Sequence, residues 1–154
     1  METRIDIQKV EPKAYQSMFG LENYLQHSEL TKTHKELIKI RASQINGCAF
    51  CINMHTTDAL KYGEGAQRIF LLNAWRETGL FTEEERVILA MTEEITLIHQ
   101  QGLSDETYRK AERLFTPNYL AQIIMAIVTI NAWNRIAISS NKRVEKQIVH
   151  QGVM

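Results

Sequence analysis

Apolar side chains recur at three- and four-residue intervals along almost the whole chain, the period of a helix that buries one face. No stretch alternates apolar and polar residues for long. The one Asn-Gly pair, Asn46-Gly47, lies between two helical patterns, so strands are not expected. The first helix is predicted from about Lys13 to His27, with Tyr15, Met18, Phe19, Leu21 and Tyr24 on its apolar side and a weak point at Gly20. The second spans about Leu30 to Ile45, with Leu37, Ile38, Ala42 and Ile45 inward, and stops at Gly47, where a left-handed backbone suits glycine. The third starts at Cys48 and runs to Tyr62, before Gly63. A fourth follows Gly65, carries Ile69, Phe70, Leu72 and Trp75, and ends near Gly79. Thr82, with Glu85 three residues on, forms a capping box for the fifth, which reaches His99 and stops at Gly102. Ser104 opens the sixth, with Asp105 and Glu106 in the first turn, where the helix dipole favours acids. Thr116 followed by Pro117 opens the seventh. That helix is apolar on nearly every side from Ile123 to Ile130, as befits a bundle centre or a subunit interface. The tail after Ser139 is polar and is expected to fray.

The pattern predicts an all-α, single-domain helical bundle of about six or seven helices, with residues 1–154 as one domain. No Pro/Gly/Ser linker, low-complexity tract or short repeat divides it.

Composition narrows the function classes. Lys+Arg and Asp+Glu are both 18, and the zero balance argues against a nonspecific nucleic-acid binder and against a polybasic membrane anchor. It also gives little colloidal protection, which favours burying surface in an oligomer. The first six residues are charged and lack the apolar core of a signal peptide. The most apolar stretch, Ile123 to Ile138, includes Thr129, Asn131, Asn134 and Arg135. Its clean run falls short of the roughly 20 residues that span a bilayer. The expectation is a cytoplasmic protein with no nucleic-acid or membrane partner.

The chemistry concentrates between Glu36 and Asp58. Both cysteines of the chain lie in Cys48-Ala49-Phe50-Cys51, followed by His55. On a helix, positions i, i+3 and i+7 share a face, so Cys48, Cys51 and His55 line up, and Asp58 lies close to that face. Cys48 stands at the helix start, where backbone N–H groups and the dipole stabilise a thiolate. His55, four residues after Cys51, is placed to take its proton. The pair can close into a disulfide over a short loop, the signature of redox chemistry. Glu36 lies about 11 residues before Gly47 and His55 about 8 after it, roughly 16 and 12 Å along their helices. In an antiparallel hairpin the two sit at similar heights, and the carboxylate can orient the imidazole.

Rival readings have signatures of their own. Inert core cysteines would not call for a helix start and a neighbouring histidine. A zinc site on Cys48, Cys51, His55 and Glu36 or Asp58 lacks the second Cys or His pair of a structural site. A thioredoxin-like fold needs a βαβ pattern, and covalent haem needs histidine where Ile52 stands. His27, His34, His99 and His150 read as surface residues, and Trp75 and Trp133 as core or interface aromatics. Asn131, Asn134 and Arg135 need partners, expected across a subunit contact with an acid such as Glu93 or Glu94. Asp58 reads as a helix-surface residue, and Glu83-Glu84-Glu85 as a dipole match.

Glu36, Cys48-Ala49-Phe50-Cys51 and His55 together resemble the active-site signature of the AhpD-like alkylhydroperoxidases of the carboxymuconolactone decarboxylase superfamily. His55-Thr56-Thr57-Asp58-Ala59, Trp75-Arg76-Glu77, Thr92-Glu93-Glu94 and Ile130-Asn131-Ala132-Trp133-Asn134-Arg135 add to the resemblance, which covers roughly Tyr15 to Ile138. It implies an all-helical fold that assembles as homo-oligomers, trimers or hexamers. It also implies cofactor-free reduction of hydroperoxides through a dithiol/disulfide cycle, fed by an external dithiol or disulfide reductase. Carried over, Cys48 and Cys51 are the redox pair, His55 the base and Glu36 the end of a proton relay. Some members have histidine immediately before the second cysteine, where this chain has Phe50, which removes one relay member. The decarboxylase branch lacks the dithiol, so lactone chemistry is disfavoured. Cys51 is favoured as the attacking thiol by its closeness to His55, and Cys48 by its place at the helix start; we take Cys51 to attack and Cys48 to resolve. A redox adaptor passing electrons to a partner protein, and a non-catalytic zinc-binding oligomer, are the alternative functions.

Overall fold

Local capping decides where most helices begin. In the computed structural model, which describes residues 2–145, Thr31 accepts the His34 backbone N–H, Thr82 that of Glu85, Ser104 that of Thr107 and Thr116 that of Tyr119. Each hydroxyl satisfies one N–H that the first helical turn leaves without a partner. The elements in order are α1 (Ile7–Val10), α2 (Pro12–Gln26), α3 (Lys32–Asn46), α4 (Ala49–Lys61), α5 (Ala66–Phe70), a 3₁₀-helix (Leu72–Glu77), α6 (Glu83–Thr96), α7 (Asp105–Leu114) and α8 (Pro117–Ser140). No strand occurs among the described residues, and the fold is all-α. Two elements go beyond the sequence pattern. The four-residue α1 precedes the first expected helix, and the expected fourth helix splits into α5 and the 3₁₀-helix, with non-helical backbone at Ala74.

Helices α3, α4, α6 and α8 surround the main core, built on Ile38, Ile88, Met91, Ile123, Ile127 and Ile130. Each such side chain withdrawn from water contributes about 1.5–3 kcal/mol. A second cluster, with Leu37, Ile40, Leu72, Trp75 and Leu89, packs the 3₁₀-helix and α5 onto α3 and α6. Arg68 ties that corner together, bonding Glu85 at 2.6 Å and Glu64 at 2.8 Å.

Helix α8 is 24 residues long and, contrary to the shorter run expected, is long and apolar enough by length and composition to cross a membrane. Half of that window is buried in the fold, and its polar groups are met from inside the chain. Asn46 donates to Asn131 and Asn134, each at 2.9 Å; Asn131 donates to Thr96 at 3.0 Å and Asn134 to Ser43 at 2.9 Å. These asparagines therefore bind α3 and α6 of the same chain, not a neighbouring subunit. Arg135 is exposed and bonds back to Asn131. Glu94 instead caps the start of α7 through Ser104 and Thr107.

Several faces depart from expectation. Phe19 and Tyr24, read as inward, are exposed, and Tyr15 and Leu25 are the buried positions of α2. Phe70 is 78% exposed although its neighbours Ile69 and Leu72 are buried. His34 is half-buried, not a surface residue; its Nδ1 lies 2.6 Å from the Tyr119 hydroxyl, and burial pushes the ring below its ordinary pKa against the pull of Glu85 and Glu84. His27 and His99 are exposed, as read, and His150 lies outside the described residues. The start of the tail is held rather than frayed: Asn141 takes a left-handed conformation and the Lys142 N–H bonds Ala137. The rest of the tail reading falls on residues 146–154, outside the described part.

Candidate active site

Gly47 adopts φ +70° and ends α3, so the chain turns directly into α4. Positive φ is a region that glycine enters without steric cost. The turn leaves Cys48 as the N-cap of α4, where its sulfur accepts the Cys51 N–H at 3.3 Å. Cys48 and Cys51 are joined in a disulfide across one helical turn, with Cα atoms 5.4 Å apart. Both are almost fully covered, at 1% and 2% exposure.

Helices α3 and α4 form the antiparallel hairpin that the residue counts require, and Glu36 meets His55. Oε2 of Glu36 lies 2.9 Å from Nδ1 of the imidazole, and both side chains are largely buried. With a carboxylate as partner, Nδ1 carries the proton and donates, which leaves Nε2 as the free acceptor. His55 and Cys51 share one face of α4 at i and i+4.

A cavity of about 700 Å³ opens on this face. Cys51, His55, Glu36 and Asp58 line it; Cys48 does not. The geometry thus separates two cysteines that are equivalent in the motif: one faces the space a ligand would occupy, the other faces the core. Asp58 pairs with Lys61 at 3.2 Å and makes no bond to His55.

The wall also holds residues that the sequence left unassigned. Phe50 lies beneath the Lys142 ammonium, 4.4 Å from its ring centre, and Lys142 donates to the Tyr15 hydroxyl at 3.2 Å. Trp133, read as a packing residue, lines the cavity half-buried, edge-on to Tyr15 and Phe19 at 5.2 and 5.6 Å. Lys39 is buried and paired to Glu22 at 2.9 Å. Its position in Leu37-Ile38-Lys39-Ile40, a lysine inside an apolar run one turn from Glu36, was a usable signal for a buried cation. Lys142 offered none, because only the fold returns the end of α8 to the start of α4.

Away from the cavity, Glu93 gathers three donors. Arg41 Nε and Trp75 Nε1 each approach it at 2.8 Å, and Arg76 closes the set. Burial acts to raise its pKa, but hydrogen bonds from Trp75, Arg76 and Arg41 prevail and hold the carboxyl below its ordinary value. Among the described residues, no three His, Cys, Asp or Glu side chains are grouped so as to hold a metal ion.

The profile of the carboxymuconolactone decarboxylase family matches residues 12–94. The uncharacterized protein YdfG of Bacillus subtilis (strain 168) is 41% identical over 143 residues, 93% of this chain and 97% of its own length. A crystal structure of a protein of unknown function from Agrobacterium tumefaciens, provisionally described as the antioxidant defence protein AhpD, is 38% identical. It superposes with a TM-score of 0.92 over 95% of this chain and 100% of that one. At 16% identity, the debrominase Bmp8 shares the fold, with a TM-score of 0.80 over 90% of this chain and 74% of its own. The profile match, the extended identity and the common helical arrangement agree: this chain belongs to the carboxymuconolactone decarboxylase family, among its AhpD-like members.

Proposed function

We propose that the protein is a thiol-dependent peroxidase that reduces organic hydroperoxides. The observation that carries this reading is the redox pair at the start of α4, with Cys51 alone turned to a cavity whose wall also holds the Glu36–His55 pair. In the reduced protein, His55 Nε2 takes the Cys51 proton and the thiolate attacks the terminal peroxide oxygen. An S–O bond forms, the O–O bond breaks, and the departing alkoxide leaves as an alcohol with the proton held by His55. Cys48 then attacks the Cys51 sulfenic acid, forming the disulfide and releasing water. An external dithiol returns two electrons and two protons and restores both thiols. The N-cap position lowers the cost of the Cys48 thiolate at the second step.

The protein is further proposed to work as one domain, in the cytoplasm and as a homo-oligomer, a trimer or a hexamer. Exposed Leu60, Tyr62 and Phe70 favour a partner surface.

The test is the intact mass and thiol count of the reduced protein before and after one equivalent of cumene hydroperoxide. Loss of two hydrogens and of both thiols is expected. Unchanged thiols overturn the reading. Rapid exchange with a protein disulfide in that case would assign a redox adaptor, and loss of bromide from a brominated pyrrole a dehalogenase. In a stopped-flow version, Glu36→Gln is expected to slow thiol oxidation about tenfold to a hundredfold, because a neutral amide no longer fixes the imidazole tautomer. An unchanged rate would remove Glu36 from the relay.

A further inference from the structure

The charges of the cavity wall balance in number but not in pairing. Its wall carries four carboxylates, and each is engaged: Glu22 by Lys39, Glu36 by His55, Asp58 by Lys61 at 3.2 Å and Asp6 by Lys9 at 3.5 Å. Three lysines of the wall, Lys32, Lys35 and Lys142, have no carboxylate within 4.0 Å among the described residues. Lys142 is held by the Tyr15 hydroxyl and the Phe50 ring, and exposed Lys32 lies over Tyr62. Lys35 is half-buried, with a single bond, 2.7 Å to the carbonyl oxygen of Leu25. Burial, and then the neighbouring Lys39 charge, push its ammonium below the ordinary lysine range against the pull of Glu36 and Glu22. An incoming anion would relieve both.

At the far end of the cavity from Lys35 lies an aromatic cluster, where Tyr15, Phe19 and Trp133 meet edge to face and Lys142 rests on Tyr15 and Phe50. Tyr15 and Leu25, which mark the two ends on α2, are about 10 residues apart, roughly 15 Å along the helix. Cys51 and His55 line the same cavity. A space of about 700 Å³ far exceeds what hydrogen peroxide needs and matches an organic molecule of ligand size.

We propose that the cavity binds a monocarboxylate amphiphile, its head on the Lys35 ammonium and its apolar body against Phe19, Phe50 and Trp133. Resting on the peroxidase reading, this names the substrate as an organic hydroperoxide that carries a carboxylate. A charge-assisted hydrogen bond in a half-buried site discriminates about tenfold against an uncharged analogue.

The experiment is calorimetric titration of the full-length disulfide form with decanoate and with decan-1-ol, both below their aggregation limits, at pH 7.5. Decanoate is expected to bind about tenfold more tightly than the alcohol. Lys35→Met is expected to abolish that preference, and Lys35→Arg to keep it. Equal binding of both ligands by the native protein, binding of neither, or a Lys35→Met variant that retains the preference would each overturn the proposal. No peroxide is present, so the outcome is independent of peroxide reduction. If carboxylate binding holds while thiols resist cumene hydroperoxide, the peroxidase reading fails alone.

Discussion

Cys51→Ser is expected to leave the reduced protein inert to cumene hydroperoxide, with mass and remaining thiol unchanged, while Cys48→Ser reacts and gains one oxygen atom. The asymmetry follows from position. Both cysteines sit in one turn of α4, yet only Cys51 reaches the cavity, and it lies four residues from His55. Removing it takes away the nucleophile and the one thiol sulfur that lines the cavity. Removing Cys48 leaves the first step intact and deprives the sulfenic acid of its partner, so the cycle halts with oxygen still on Cys51. The rate of the first step should fall by at least about a thousandfold in Cys51→Ser and change by less than about tenfold in Cys48→Ser. Dimedone labelling of the Cys48→Ser product locates the oxidised residue. Labelling of Cys48 in a Cys51→Ser protein would reverse the assignment and make the helix-start thiol the attacking one.

Glu93→Ala is expected to cost about 3 kcal/mol of stability, read as a fall in the urea midpoint at unchanged slope. Glu93 joins three elements, receiving Arg41 from α3 and Trp75 and Arg76 from the 3₁₀-helix. Alanine leaves a largely buried guanidinium and a buried indole N–H without their acceptor, and such stranded donors cost more than the bond itself contributed. Glu93→Gln keeps an acceptor for Trp75 and should lose less. The carboxyl's pKa is depressed in the folded protein, so its contribution is fully present above the unfolded carboxylate range, about pH 4.3, and disappears as pH falls through the lower folded value. The acid limb of the stability curve should therefore be shallower in Glu93→Ala than in the native chain. A loss below about 0.5 kcal/mol would mean that water takes over from Glu93 as the partner of Arg41 and Arg76.

What the sequence disclosed was whatever depends on neighbours a few residues away. Thr82, Ser104 and Thr116 announce helix starts because a side-chain oxygen bonds a backbone N–H within the same turn. The meeting of Glu36 with His55 follows from helix rise and one glycine turn, which is nearly local arithmetic. Distant chain was illegible. The amphipathic pattern of α2 names apolar residues but not which have a partner, and it points Phe19 and Tyr24 inward although both are exposed. Nothing between Gln67 and Glu77 signals a break by glycine or proline; the 3₁₀ segment carries Trp75, whose partner Glu93 lies on another helix. The cavity is walled by Lys35, Lys39 and Lys142, more than a hundred residues apart in the chain, and no window of sequence holds all three.

The bridge between Cys48 and Cys51 encloses only four residues, counting both ends. Chain-entropy estimates give a loop so short about 2 kcal/mol, against nearly 5 for one of a hundred residues. The helices around it are held by the apolar core and by the asparagine, arginine and threonine bonds described above, none of which requires the S–S bond. Oxidised and reduced protein should accordingly melt within about 8 °C of each other and give nearly superimposable far-ultraviolet dichroism. Such a cross-link is no brace. It is the empty half of a two-electron couple at a helix tip, which the fold can fill and empty again with little change to its packing.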